Sequence, residues 1–183
     1  MNRVIRNLCC LCFCLVTPLA LFGQFRPNEY QVKAAFLYNF GKFVGWPAGS
    51  SGQGESFSVC IIGQDPFGKV LDSTVSGETV GGRAVVPKRI SRLQDITGCR
   101  ILFISGSEES RLGNILGAVD KAAILTVSDI AGFADRGGMI QFVVKDNSVR
   151  FQIDLRSAEN AGLTVSSELL KLAVDVRRSP KGT

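Results

Sequence analysis

The sequence predicts an α/β fold: a mainly parallel sheet flanked by helices, as in a three-layer, Rossmann-like domain. Short apolar runs, typical of strands buried on both faces, alternate with helical segments between residues 57 and 136. Beyond residue 138 the pattern changes to two strands around a turn. That change predicts a C-terminal antiparallel hairpin, and the chain then closes with an amphipathic stretch that predicts a terminal helix.

Residues 1–23 have the composition of a secretory signal peptide. Arg3 and Arg6 carry its positive charge, and residues 8–22 form an apolar stretch too short for a typical membrane-spanning helix. We expect cleavage near Gly23 and export to the periplasm, with an uncleaved signal anchor as the alternative. Residues 24–183 then form a single domain of ordinary size.

A dense aromatic helix is predicted at the start of the mature chain. Asn28 can cap it, and Gly45 followed by Pro47 would end it. Apolar residues recur at spacings of three and four and predict one broad buried face, made of Val32, Ala35, Phe36, Leu37, Phe40, Phe43 and Val44. The residues left for solvent are Lys33, Asn39 and Lys42.

The other predicted elements follow in order. Residues 48–56 form a Gly/Ser-rich linker. Strands are predicted at residues 57–62, 83–90, 100–104 and 122–127, and helices at 66–71, 108–119 and 130–136. The hairpin strands are residues 139–144 and 149–155. The terminal helix covers about 166–178, and its predicted buried face is Val165, Leu169, Leu172, Ala173 and Val176.

Two cysteines, Cys60 and Cys99, remain after removal of the signal peptide. Both lie in apolar runs that predict strands, and a lone pair in an exported chain predicts one disulfide. A static crosslink and a redox sensor are both open as its role.

Polar residues follow the predicted strands at their carboxyl ends. In an open α/β sheet these ends surround the usual ligand crevice. A small anionic or zwitterionic ligand there would meet Asp65, Phe67, Ser105 and Asp129. Helix capping is the alternative role for these polar side chains, with Asp65 capping a helix that begins at Pro66.

Residues 63–69 spell G-x-x-x-x-G-K, a phosphate-binding motif without its final residue. Val70 has no hydroxyl for magnesium, Pro66 removes a backbone donor, and Asp65 would set a carboxylate beside the phosphates. We therefore expect no nucleotide hydrolysis.

The composition favours a binding protein over an enzyme. The chain has no histidine, no nucleophile–base pair and no acidic residues at metal-ligand spacing, so no metal or cofactor is expected. Without residues 1–23 it carries 19 basic and 16 acidic residues, a net charge of +3 that is too mild to indicate nucleic-acid binding.

Several motifs, taken in order, resemble the periplasmic YfiR/HmsC-type regulators. Residues 34–47 read AAFLYNFGKFVGWP, against AAFLYNFAKFVEWP-like strings in that family. Further matching segments are DPFG at 65–68, CRILFIS at 99–105, LTVSD at 125–129, GGMIQFV at 137–143, VRFQIDL at 149–155 and AGLTVSSELLKLA at 161–173. Together these segments extend over nearly all of the predicted mature chain.

The resemblance implies a negative regulator that contacts the periplasmic domain of an inner-membrane diguanylate cyclase or sensor kinase. An outer-membrane lipoprotein antagonist and a homodimer are further implied partners. The alternative function is a small-ligand binding module that feeds a sensor kinase, and a redox-responsive chaperone-like factor is a third. Candidate contact residues are Tyr38 and Trp46 at the end of the first helix and Arg150, Gln152 and Asp154 on the polar face of the hairpin.

Overall fold

The computed structural model describes residues 28–48 and 56–178. The predicted signal peptide and most of the predicted linker lie outside these ranges. Within them, no helix is long and apolar enough to cross a membrane.

An eight-stranded sheet forms the centre of the fold. Its strands are β2 (Ser56–Ile62), β3 (Thr79–Val80), β4 (Arg83–Ile90), β5 (Ile101–Ile104), β6 (Leu125–Ser128), β7 (Ile140–Lys145), β8 (Ser148–Asp154) and β10 (Asp175–Arg177). They lie in the order β3-β4-β2-β5-β6-β7-β8-β10. The run from β4 to β7 is parallel, and β8 returns antiparallel to β7. This topology confirms the predicted α/β fold with an antiparallel hairpin.

Helices cover both faces of the sheet. They are α1 (Glu29–Phe43), α2 (Lys69–Val75), α3 (Leu112–Ala118), α4 (Leu155–Asn160) and α5 (Ser167–Leu172), with 3-10 turns at Leu93–Ile96, Gly106–Arg111 and Ala134–Arg136. Alternate residues of β2 divide between two cores. Val59 and Ile61 face α1 and α2, whereas Cys60 and Ile62 face α3. Three layers follow from this double burial.

The first helix is capped as predicted, but its buried face is rotated. Asn28 and Gln31 form a reciprocal capping box. The prediction was wrong for two residues: Lys33 is buried, with 2% of its surface exposed, and Ala35 is exposed. The small residues Ala34 and Gly41 are buried instead. Gly41 packs closely, because a Cβ at that position would lie 3.1 Å from both Phe57 and Val80.

Helix α1 ends two residues before the predicted stop. Val44 and Gly45 form a short strand, β1 (Val44–Gly45), which pairs antiparallel with β9 (Thr164–Val165). The backbone N–H and C=O groups of the residues after the helix therefore pair with a distant segment of the chain. The local sequence does not reveal this partner.

The predicted terminal helix is wrong beyond Leu172. The chain leaves α5, and the Val174 N–H donates to the Phe151 carbonyl at 2.9 Å. Strand β10 then pairs with β8, in the register Val176↔Ile153. Leu172, predicted to be buried, is 60% exposed. The open edge of β8 offers unpaired backbone groups, and this pairing competes successfully with continued helix.

The hairpin confirms its predicted turn. Asp146 and Asn147 have φ values of 50° and 54°, and Lys145 pairs with Ser148. Two central residues with positive φ define a type I′ turn, for which Asp and Asn are suited. Elsewhere the predicted helix at 130–136 is reduced to a 3-10 turn, although it ends at the left-handed Gly137 as expected.

A disulfide joins Cys60 on β2 to Cys99, just before the neighbouring strand β5, with the two Cα atoms 5.8 Å apart. Both residues are buried in the core beneath α3. Burial shields both sulfurs from other thiols, which favours a structural role for the bond.

We predict that the double variant Cys60→Ala/Cys99→Ala loses about 4 kcal/mol of unfolding free energy, because the bond closes a loop of 39 residues in the unfolded chain. Urea denaturation under oxidising conditions measures the difference. Wild type in excess reductant is the control and should approach the variant. Equal stabilities of oxidised wild type and variant would contradict the prediction.

Candidate functional site

The carboxyl ends of β2, β5 and β6 meet at one edge of the sheet, as the sequence predicts. The three strands are adjacent and parallel, so Asp65, Ser105 and Asp129 gather there. This edge is the usual ligand crevice of an open α/β sheet.

Aromatic rings fill the interior of this crevice. Phe67 is buried, with its ring centroid 4.8 Å from that of Phe103 and 5.3 Å from that of Tyr30, both in edge-to-face geometry. Gly63 lies so close to the neighbouring loop that a Cβ there would sit 2.5 Å from Ser107 Oγ. The predicted ligand residues are therefore close together, but their shared space is occupied by the protein's own side chains.

The backbone donors of the loop after β2 are also engaged. Asp65 Oδ1 accepts from the Phe67 N–H at 2.8 Å, and Ser107 Oγ accepts from the Gln64 N–H at 2.9 Å. The predicted helix start at Pro66 is wrong: α2 begins at Lys69, after Gly68 with φ of 53°. A local turn held by Asp65 uses the donors that a phosphate cradle would present.

Asp65 also belongs to an ion-pair network around Arg89. The guanidinium donates to Asp65 at 2.9 Å and to Asp72 at 2.6 Å, and so joins β4 to the loop and to α2. Hydrogen bonding to Arg89 lowers the pKa of Asp72, so its carboxylate stays charged. This arrangement assigns Asp65 a structural role at the crevice rim.

Asp129 has the least expected surroundings of the predicted residues. Lys33 Nζ from α1 lies 2.5 Å from Asp129 Oδ2 and 2.5 Å from Glu29 Oε1, and the Tyr30 hydroxyl donates to Asp129 at 3.1 Å. The Lys33 ammonium also lies 4.4 Å from the centre of the Tyr30 ring. These four residues, which we call the Lys33 cluster, fasten the first turns of α1 to the end of β6.

The burial of Lys33 was not predicted, because a lysine within an aromatic helix is expected on its solvated face. Burial alone lowers the pKa of Lys33, but hydrogen bonds to Asp129 and Glu29 outweigh that effect, so the pKa is raised. Burial, together with the Asp129 carboxylate, raises the pKa of Tyr30. Both groups therefore hold their protons more tightly in the folded protein.

Tyr38 and Trp46, predicted as contact residues, are both partly covered. The Tyr38 hydroxyl donates to Glu78, and the Lys42 ammonium lies 4.1 Å from its ring centre. Trp46 packs edge-to-face on Phe57 at 5.2 Å. Ser105 is buried as well and accepts from the Ser107 N–H in the cap of the following 3-10 turn.

The three hairpin candidates separate by exposure. Arg150 is exposed, Gln152 is half-buried, and Asp154 is buried. The Asp154 carboxylate accepts from the Arg156 N–H at 3.1 Å as the cap of α4. The expectation that Asp154 faces solvent is therefore wrong, because the helix that begins at the strand end takes its oxygens.

Arg150 borders a groove between the first turns of α1 and the hairpin tip. The groove has a volume of about 790 Å³. Val32 and Phe36 line one side and Val144 the other. Val144 is 59% exposed, and together with Val32 and Phe36 it gives the groove an apolar lining. We call this feature the α1–hairpin groove.

Within residues 28–48 and 56–178, no group of Cys, Asp and Glu side chains could hold a metal ion.

A family model described as YfiR/HmsC-like matches residues 30–174. The chain belongs to the YfiR/HmsC-like family. The match begins at Tyr30 of the Lys33 cluster and extends through α5 to Val174. Membership is consistent with a periplasmic regulatory protein whose role is exerted through other proteins. No functionally curated protein matches this YfiR/HmsC-like chain.

Two solved structures align with this chain at low identity. A conserved domain protein from Vibrio cholerae O1 biovar El Tor strain N16961 aligns with a TM-score of 0.49 and 12% identity, over 66% of this chain and 54% of that one. An ABC domain from Streptococcus pneumoniae, solved in complex with L-Trp, aligns with a TM-score of 0.53 and 9% identity, over 81% and 62%. The second likeness supports the architecture alone.

We predict strong coupling within the Lys33 cluster. Asp129→Asn should cost about 3 kcal/mol of unfolding free energy, because it strips a buried ammonium of its main partner. The double variant Lys33→Met/Asp129→Asn should cost less than the sum of the two single changes, by about 1–3 kcal/mol. Chemical denaturation of all four proteins gives the coupling. Additive losses would show that the contact contributes nothing specific.

The same cluster predicts a loss of stability at alkaline pH. The contribution of Lys33 is complete below its unfolded pKa of 10.5 and is lost as pH rises through its higher folded value. Tyr30, whose usual pKa is 10.0, acts in the same direction because its raised pKa favours the neutral form. Denaturation between about pH 10 and 12 should show a steeper decline in the stability of wild type than of Lys33→Met. Parallel curves of stability against pH for the two proteins would contradict the prediction.

Proposed function

We propose that this protein is a periplasmic regulator that holds a membrane signalling enzyme inactive through direct contact with that enzyme's periplasmic domain. The observation that carries the proposal is the YfiR/HmsC-like match over residues 30–174, which takes in nearly every described element. The proposed target is a diguanylate cyclase, and a sensor kinase is the alternative.

The filled crevice supports action by surface contact. Phe67 and Tyr30 occupy the space in which an α/β enzyme of this topology would place its substrate. The polar groups at the crevice rim are committed to Arg89, Lys33 and the backbone. A protein that acts by contact needs only to bind the inactive state of its partner more tightly than the active state.

The α1–hairpin groove is the proposed contact surface. Val144, Val32 and Phe36 provide an apolar floor, with the charges of Glu29 and Arg150 at its rim. Apolar centres surrounded by polar rims are the usual anatomy of a protein–protein interface. Covering Val144 in a complex would remove its apolar surface from water and contribute about 1 kcal/mol or more to binding. Arg150 is the one predicted hairpin residue that lies on this surface and is exposed.

We predict that deletion of the gene raises cyclic di-GMP and surface attachment, and that Val144→Asp fails to restore repression. A carboxylate placed in an apolar contact must be desolvated without a partner, which should weaken binding at least about tenfold. At an exposed strand position the same change should leave folding nearly intact. Cyclic di-GMP is measured in the deletion strain complemented with each variant.

Val86→Asp is the matched control. Val86 is a valine on strand β4, 37% exposed and away from the groove, so its substitution should complement as wild type does. A version without residues 1–23 should fail to complement, because it would not reach the periplasm. Full complementation by Val144→Asp would exclude the groove. An unchanged nucleotide level on deletion would exclude the cyclase, and full activity of the version without residues 1–23 would exclude periplasmic contact.

A further inference from the structure

The hairpin extends beyond the neighbouring strand and leaves one edge of β7 open. Strand β8 pairs with all six residues of β7, whereas β6 pairs with only the first two, Ile140 and Gln141. Within residues 28–48 and 56–178, no strand pairs with that side of β7 after Gln141. We call this side of Phe142–Lys145 the open β7 edge. An unpaired strand edge presents backbone hydrogen-bonding groups to another extended chain.

The alternation of hydrogen bonds in the hairpin identifies which backbone groups lie at this edge. The Asp154 N–H donates to the Met139 carbonyl at 2.8 Å, so these two residues form a hydrogen-bonded pair. Hydrogen-bonded and non-hydrogen-bonded pairs alternate along an antiparallel ladder. Val144, which lies opposite Val149, therefore exchanges no backbone hydrogen bonds with β8. Its N–H and C=O groups point away from β8, toward the open β7 edge.

A cavity of about 320 Å³ lies beside the open β7 edge. Glu29 and Lys33 of α1 line one side of it, and Asp129 and Ala131, which follow β6, line another. Val144 lines it as well and is 59% exposed. The cavity adjoins the α1–hairpin groove, because Glu29 and Val144 line both.

The charged side chains of this cavity carry an excess of negative charge. Lys33 Nζ lies 2.5 Å from the Glu29 carboxylate and 2.5 Å from the Asp129 carboxylate. Burial raises the pKa of Tyr30, so its hydroxyl stays neutral. Because two carboxylates share one ammonium, the Lys33 cluster has a net charge of −1. The Lys33 side chain is 3% exposed and that of Glu29 is 45% exposed, so the negative charge is the accessible one. A basic group would be attracted here and an acidic group repelled.

We propose that the open β7 edge binds an extended segment of a partner protein as an added strand. The backbone of that segment hydrogen-bonds to Val144. Its side chains alternate, so that a basic group reaches Glu29 and Asp129 and the next residue on the same face covers Val144. The inference rests on the proposed function for the identity of the partner, the periplasmic domain of the signalling enzyme. It adds the binding mode and the chemistry of the bound segment.

A peptide titration tests the added strand directly. The probe is the acetylated and amidated peptide Lys-Thr-Val-Thr-Val, and Glu-Thr-Val-Thr-Val is its control with the opposite charge. Each is added to exported, purified, isotope-labelled protein while the Val144 amide resonance is followed by NMR. The lysine peptide should shift this resonance saturably and slow the hydrogen exchange of the amide. Its affinity should be about tenfold or more above that of the glutamate peptide, because like charges repel at an interface.

Three results of this titration would overturn the proposal. The first is equal affinity for the two peptides, and the second is a Val144 amide that neither peptide affects. The third is slow exchange of the Val144 amide in the free protein. Slow exchange would mean that another segment of this chain, or a second copy, already pairs with the edge.

Val144→Pro separates the backbone group from the side chain. Proline keeps an apolar side chain but has no N–H, and edge positions outside the ladder tolerate it. This variant should bind the lysine peptide about fivefold or more weakly than wild type. Val144→Ile is the matched control, because it keeps both the N–H and the apolar side chain. Wild-type affinity in folded Val144→Pro would refute the added strand. If Val144→Pro does not fold, the titration of wild type decides.

Complementation of the deletion strain distinguishes this inference from the proposed function. Val144→Pro should fail to lower cyclic di-GMP, whereas Val144→Ile should lower it as wild type does. If deletion raises cyclic di-GMP and folded Val144→Pro restores repression, the added strand is wrong and the proposed function stands. If deletion leaves cyclic di-GMP unchanged, the proposed cyclase target is wrong, and the peptide titration alone decides whether the edge binds a basic extended segment.

Discussion

Strands β2 and β5 carry apolar side chains on both faces, and covering those two faces is the constraint on which the rest of the molecule depends. Val59 and Ile61 of β2 need one helical layer, and Cys60 and Ile62 need another. Helix α3 supplies the second layer, reinforced by the disulfide. Helix α1 supplies the first, although it precedes the sheet in sequence and meets it only through long-range contacts. Its position must therefore be fixed by specific interactions as well as by apolar burial.

The Lys33 cluster provides one such interaction, and it explains why the crevice at the carboxyl ends is closed. Drawing the first turn of α1 onto Asp129 carries Tyr30 over Phe67. In an open α/β sheet, polar residues at this edge would bind a ligand. Here Asp129 instead binds Lys33 and Tyr30 of the protein's own first helix. At the other end, β1 pairs with β9, and this pairing holds the chain after α1 beside the amino ends of the strands. The placement of α1 therefore closes the crevice at the carboxyl ends of the strands and also positions the following residues beside the amino ends.

The predictable and unpredictable parts of this structure divide by the range of the interactions involved. Buried strands, the cap at Asn28 and the Asp146–Asn147 turn depend on neighbours in sequence, and each was correctly predicted. Lys33 could not be placed, because its partner Asp129 is 96 residues away. The helix predicted for the C-terminal segment was wrong for the same reason. Residues 173–178 continue a helical pattern, yet the edge of β8 offers backbone hydrogen bonds that no local pattern encodes.

Helix α1 also determines the shape of the proposed contact surface. The groove takes Val32 and Phe36 from the first turns of the helix and Val144 from the hairpin. The Lys33 cluster holds these turns against the end of β6, and the β1–β9 pairing holds the other end of the helix. A partner that reshapes the groove by moving α1 must therefore bind the moved position tightly enough to offset the loss of the Lys33–Asp129 contact.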